Sequence, residues 1–331
     1  MRTGFATHLL YALLALALCT SFAGCSNEQP ESRFADRLAE ADQVFSGRQY
    51  AQAGVLFEDI AADADAAGDN TAYAEAASMR ARTMLQLGDR HGGEAWLEQA
   101  RARTSVDDPL GWSRYLGVRG RFEWTAKDSA ATVATFRELF DYCEANGLYE
   151  RAVDATHMNA LVAPREERLE WARNGIAMAE AGELTGWLGP LWNNMGWDYV
   201  DAGEYEAGLE ALEQARIYHD ATGQQLSMLI ADYAVAHVKR LMGDLTAAKT
   251  ELQGVFDQAD AMQEAGHLDA IEWMGFSRWE LAETALAEGD DEAAIEFMRQ
   301  ALGELEQAGM PRWDPDGWQE KQDRLAELSG K

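Results

Sequence analysis

Trp192-Asn193-Asn194-Met195-Gly196-Trp197-Asp198-Tyr199, followed by Gly203-Glu204-Tyr205 and then by Gly208, Leu212 and Ala215, is the stretch that decides the fold. On either side of Gly203, large and small residues recur three and four positions apart, the interval of one face of an α-helix. Gly203-Glu204 interrupts the pattern. Glycine accepts the left-handed conformation that ends a helix, and an acidic residue favours the start of the next one. Two helices joined by a tight turn follow. One such pair cannot bury its apolar face alone, so the match calls for further copies on both sides.

The copies are present in more degenerate form. Turns fall at Gly47-x-x-Tyr50, Gly88-Asp89, Lys127-Asp128, Gly203-Glu204, Gly243-Asp244 and Gly289-Asp290, with small residues following at Ala53, Gly93, Ala248 and Ala294. Between Asp128 and Gly203 there is room for one more hairpin, from Leu148 to Ala181, with its turn at Ala163-Pro164, where proline suits a helix start. The interval is about 40 residues, against 34 in the standard tetratricopeptide repeat. The order of large, Gly, aromatic, Ala, large and Ala residues around Gly203 resembles that repeat. The resemblance implies that Gly196 and Gly208 lie where the two helices cross and that Tyr199 and Leu212 fill the space beside the crossing. It also implies an all-α, right-handed α-solenoid of about seven hairpins, with a capping helix from Trp313 to Leu328.

Periodicity supports helix elsewhere. From Gly275 to Ala308, apolar residues recur at helical intervals (Leu281, Ala282, Ala285, Phe297, Met298, Ala301, Leu305), and β-branched alternation is absent. No Pro- or Ser-rich linker divides the chain, which points to one continuous array at 33–310 and a cap at 311–331.

The N-terminus supplies an address. Arg2 precedes an apolar run from Leu9 to Leu18, shorter than the ~20 residues of a membrane-spanning helix, and Phe22-Ala23-Gly24-Cys25 follows. Those four residues resemble the lipoprotein box of bacterial signal peptides, with Phe22 where Leu is usual. The resemblance implies cleavage after residue 24, lipid on Cys25, a tether at 25–32, and residence in the bacterial cell envelope. Ser26 after the cysteine implies the outer membrane, facing the periplasm. Beyond Cys19 and Cys25 only Cys143 remains, so no internal disulfide is expected, and Cys143 reads as a buried filler.

The net charge of −29 argues against nucleic acid and anionic lipid surfaces as partners. Many acidic residues, among them Glu58, Asp59, Asp63, Asp65, Glu206, Glu210, Glu213, Asp291 and Glu292, read as a solvated exterior. If the first helices of the hairpins line a concave face, as the resemblance implies, that face carries a different set. Arg82, Arg114, Arg121, Trp124, Thr156, Asn159, Asn193, Asn194, Trp197, Asp201, Tyr233, His237, Arg240, Trp279 and Glu283 fall on or near it. Arginine and asparagine suit a carboxylate or a peptide backbone. The competing reading makes the aromatics core and pairs the arginines with acidic neighbours.

No catalytic pattern emerges. The histidines lack the i, i+4 zinc spacing and a cysteine partner, and no phosphate loop or nucleophile elbow occurs. The expectation is therefore a non-enzymatic, lipid-anchored envelope scaffold without metal or cofactor, binding a protein or peptide partner in its groove. A Trp-rich groove that binds a glycan or small ligand, or hydrolyses one weakly, is the alternative.

Overall fold

A computed structural model describes residues 34–330. The lipoprotein box, Cys25 and the tether lie outside the described residues. Everything described is helix and short turn, in sixteen helices. Seven hairpins come first: α1 (Ala35–Ser46) with α2 (Tyr50–Ala67), α3 (Asn70–Gln86) with α4 (Arg90–Arg103), α5 (Pro109–Thr125) with α6 (Ser129–Ala145), and α7 (Tyr149–Val162) with α8 (Arg165–Ala181). Then come α9 (Thr185–Asp201) with α10 (Tyr205–Thr222), α11 (Gln225–Leu241) with α12 (Leu245–Glu264), and α13 (Ala270–Glu288) with α14 (Asp291–Gln307). A single turn, α15 (Met310–Trp313), leads into the last helix, α16 (Pro315–Ser329). The cap expected from Trp313 thus starts two residues later, at Pro315 behind the N-cap Asp314.

Every expected turn lies between the two helices of a hairpin, and its chemistry is visible. Gly88, Gly203, Gly243 and Gly289 have φ between 77° and 86°, the left-handed region open to glycine. Aspartate then caps the following helix, as when Asp89, Asp128, Asp244 and Asp290 accept hydrogen bonds from Gly92, Ala131, Ala247 and Ala293 N–H groups. Lys127 adopts the same conformation without being glycine, at φ 60°. A side chain there costs roughly 1 kcal/mol, so Lys127→Gly is expected to stabilise the fold by up to about that much in thermal melts. The fourth hairpin turns differently. Ala163 is extended ahead of Pro164, and proline disfavours helix in the residue before it.

A small residue sits seven positions before each turn residue, counted in the first hairpin from the left-handed Arg48: Ala41, Ala81, Gly120, Thr156, Gly196, Ala236 and Ala282, all buried. Gly196 shows why. A Cβ there would lie 2.6 Å from Leu212 Cγ, and one on Gly208 would lie 2.8 Å from Val200 Cγ2 and 3.2 Å from the Gly196 carbonyl oxygen. The two helices of this hairpin meet backbone to backbone where the sequence pattern put the crossing.

The described residues divide into two compact units, 34–188 and 189–330, each with its own apolar clusters. In the first, Phe57, Ile60, Met79 and Phe122 form one cluster, and Leu116, Phe136, Leu139, Cys143 and Met158 another. In the second, Leu212, Tyr233, Leu252, Trp273 and Phe276 lie together, and Trp279 and Met298 pack with Leu328 of the last helix. The division falls inside α9, between Leu188 and Gly189, next to Pro190, whose missing N–H leaves the Gly186 carbonyl without its helical donor. No described helix is long and apolar enough to cross a membrane.

Candidate functional site

In the unit 34–188, the first helices of four successive hairpins bring charged groups together. Arg114 on α5 donates from Nη2 to Asp42 Oδ2 on α1 at 2.7 Å, and its Nε lies 3.7 Å from Glu75 Oε1 on α3. Arg151 on α7 also pairs with Glu75, while its Nη1 donates to the Leu110 carbonyl at 2.6 Å. Arg121 donates to Asp154 on α7 at 2.6 Å and to the Gly117 carbonyl at 2.8 Å. The Asp42–Arg114 and Glu75–Arg151 pairs span 72 and 76 residues, so each joins hairpins that are not sequence neighbours. Glu75 is 4% exposed. Burial alone would raise its pKa, but Arg151 and Arg114 outweigh burial and hold it below the usual carboxylate range. Asp154 is lowered in the same way, Arg121 being the main counterweight to burial.

These groups surround a half-open cleft of about 40 Å³, lined by Arg82, Ser113, Arg114, Arg121, Arg151 and Asp154 among others. Arg82 differs from the other arginines. Its guanidinium lies over the Phe45 ring at 4.8 Å, its Nε is buried without a hydrogen-bond partner, and no carboxylate among the described residues forms an ion pair with it. Burial, with Arg121 and Arg114 adding to it, brings its pKa down to about 9 against the opposing pull of Asp154 and Asp42. It remains a cation at neutral pH.

The unit 189–330 holds a second cluster. Glu280 on α13, 2% exposed, accepts from Arg240 Nε on α11 at 2.5 Å. His237 Nδ1 is 2.9 Å from the same oxygen. Burial would raise the Glu280 carboxyl, but His237 and Arg240 outweigh it and carry the pKa down to about 2. Around this group Trp197 packs on His237 with ring centroids 5.4 Å apart, and Tyr233 meets Trp273 edge-on at 5.3 Å. From α16, Lys321 places its ammonium 4.2 Å above the Trp279 ring, and desolvation takes its pKa to about 8. Arg324 of the same helix lies 3.6 Å from Glu283.

The sequence candidates thus fall in separate places. Arg82, Arg114 and Arg121 meet at the cleft, and Trp124 packs on the apolar cluster behind it. Thr156 and Asn159 are fully buried on α7, and the Asn159 amide has no protein partner in the structure. In the second unit Asn193, Asn194, Trp197, Tyr233, His237 and Trp279 are buried, Arg240 and Glu283 are half-buried, and Asp201 is exposed. Asp42, Glu75, Arg151, Asp154, Glu280 and Lys321 were missed. A lone glutamate in the alanine-rich run Ala72-Tyr73-Ala74-Glu75-Ala76-Ala77 was the available signal for Glu75. Cys143 is fully buried, and desolvation pushes its thiol up to about 12, as suits a filler. Among the described residues no group of His, Cys, Asp and Glu is arranged to hold a metal ion.

No protein-family model matches the chain, and no curated protein matches its sequence. Solved structures do. A Rap protein complexed with competence and sporulation factor is similar over 89% of this chain and 87% of its own, at 14% identity and TM-score 0.59. Aspartyl phosphate phosphatase F from Bacillus subtilis is similar over 92% and 85%, at 11% identity and TM-score 0.58. A signal-transduction ATPase from Pyrococcus horikoshii with a tetratricopeptide repeat sensor is similar over 88% of this chain and 44% of its own, at 15% identity and TM-score 0.60. The chain has the fold of tetratricopeptide-repeat proteins. At these identities the likeness is one of fold.

Proposed function

We propose that this protein is a non-enzymatic, lipid-anchored scaffold of the bacterial cell envelope, on the outer membrane facing the periplasm, that binds a protein or peptide partner along the first helices of its hairpins. The observation that carries the reading is the cleft of the unit 34–188. A chain of net charge −29 concentrates four arginines there, on a face built from helices of successive hairpins. The Rap protein of the same fold, solved with competence and sporulation factor, is consistent with such a use of the fold. The anchor rests on the Phe22-Ala23-Gly24-Cys25 box.

The glycan alternative is less favoured. Trp197 and Trp279 are 7% and 6% exposed, and a sugar stacks on an open ring face.

Two measurements test the proposal. Cys25→Ala is expected to move the full-length chain from the membrane to the soluble fraction and to abolish its labelling by fatty acid; retention of label would overturn the anchor. Crosslinked capture tests the binding face, and Asn194 and Arg82 are the positions to change. Arg114 and Arg121 are unsuitable, because removing either strands a partner carboxylate and destabilises the unit. Capture of the same partners by Asn194→Ala and Arg82→Met alike, with the fold intact, would overturn the scaffold reading.

A further inference from the structure

The cleft around Arg82 leaves one of its arginines without a carboxylate of its own. Arg82, Arg114, Arg121 and Arg151 face it from α3, α5 and α7, and the acids that pair with them are Asp42, Glu75 and Asp154. Glu150 on α7 adds its negative field at Arg114, and three of the four arginines already hold a carboxylate. The remaining one is Arg82. Arg82 is half-buried, with its Nε out of water and no carboxylate to answer it, an arrangement that contributes little to stability. Uncharged side chains of similar length would pack on Phe45 as well.

The unsatisfied donors lie on the same residues. Nε of Arg82, Nε of Arg114 and Nε of Arg121 are all buried without a hydrogen-bond partner, while Nη2 of Arg114 and both outer nitrogens of Arg121 are engaged. Gly117 lines the cleft too and contributes no side chain to fill it. A Cβ there would stand 3.6 Å from Leu139 Cδ2 and 3.7 Å from Arg121 Nη1, ordinary van der Waals contact, so a methyl group is sterically admissible.

We infer that this cleft is a binding site for a single carboxylate, which pairs with Arg82, the one arginine of the cleft that holds none. A planar guanidinium presents two parallel N–H donors, the match for the two oxygens of a carboxylate. A phosphate dianion carries one charge more than a single unpaired guanidinium neutralises. The carboxylate belongs either to a small organic acid or to an acidic side chain of the scaffold's partner. This second source rests on the proposed function above. The net charge of −29 makes the site selective, since acidic ligands are repelled by most of the surface and favoured only where the local sign reverses.

Thermal unfolding of the full-length chain in detergent tests the site directly. The probe is N-acetylglutamate N-methylamide, with N-acetylglutamine N-methylamide and inorganic phosphate as comparisons at matched ionic strength. The glutamate probe is expected to raise the melting temperature, with the glutamine probe and phosphate having little effect. Arg82→Met is expected to weaken the glutamate probe at least tenfold and to raise the melting temperature of the unliganded protein. Gly117→Ala keeps every charge and narrows the cleft, so it is expected to weaken the probe several-fold even if Arg82→Met folds poorly. Equal stabilisation by the glutamate and glutamine probes, stronger stabilisation by phosphate, or undiminished binding to both variants would overturn the inference. Partner capture separates the two sources of carboxylate. Loss with Arg82→Met places the group on the partner, whereas capture unchanged by Arg82→Met with the probe still bound by wild type assigns a small acid. If Asn194→Ala abolishes capture while wild type ignores the probe, the scaffold reading stands and the carboxylate site falls.

Discussion

Replacing Glu280 with alanine is expected to cost about 3–5 kcal/mol of stability, enough to unfold many domains of ordinary stability. The carboxylate is buried and serves more than one cation. Arg240 donates to it, His237 stands 2.9 Å away, and the desolvated ammonium of Lys321 feels its charge from α16. Truncation strands all of these at once. Glu280→Gln keeps the shape and one acceptor, and should cost less. The pH dependence has a definite sign. Glu280 has its folded pKa lowered to about 2 from an ordinary value of 4.5, so its stabilisation is complete above 4.5 and is lost as pH falls toward 2. Urea melts at pH 7, 4 and 2.5 should therefore show the gap between wild type and Glu280→Gln closing as the solution is acidified. A gap that stays constant to pH 2.5 would mean that packing, not charge, makes Glu280 important.

The fold was more legible than the site, for physical reasons. A turn must be punctuated, and Gly203-Glu204, Gly243-Asp244 and Gly289-Asp290 announce both the left-handed residue and the acidic residue that follows. Lys127 broke the glycine rule and was still found, because Asp128 behind it caps α6 as the other aspartates cap theirs. Pro164 marked the fourth turn in a different way, through the extended residue before it. Carboxylates are harder. Glu75 and Glu280 are the same residue type as the exposed Glu58 and Glu206, and in so acidic a chain composition does not separate a buried ion-pair partner from a solvated face. Arg114 and Arg121 were read without the acids that pair with them, since Asp42, Glu75 and Asp154 approach from helices tens of residues away. The reading of Trp197, Tyr233 and Trp279 as groove residues met the difficulty that a residue on a first-helix face can be covered by its neighbours. Lys321 could not be read as part of that face, because the sequence marked α16 only as a cap.

Adding one methyl group has opposite expected effects at two helical glycines, and the contrast tests the hairpin crossing. Gly254, midway along α12, has nothing within 4 Å of where a Cβ would stand, so Gly254→Ala is expected to stabilise by about 0.5–1 kcal/mol through helix propensity alone. At Gly196 the same change places Cβ 2.6 Å from Leu212 Cγ and 3.2 Å from the Leu212 backbone nitrogen. The side chain can rotate, but the backbone cannot yield without moving α10 away from α9. The expected cost is about 1–3 kcal/mol, the range for overpacking a close-packed core. Gly208 approaches the same crossing from the other helix, where an added Cβ would stand 3.2 Å from the Gly196 carbonyl oxygen. Once one methyl has spread the helices, the second meets a wider gap, so Gly196→Ala with Gly208→Ala should cost clearly less than the sum of the two single changes. Additive costs in urea melts would mean that each methyl is absorbed locally and that the helices do not move apart as a unit.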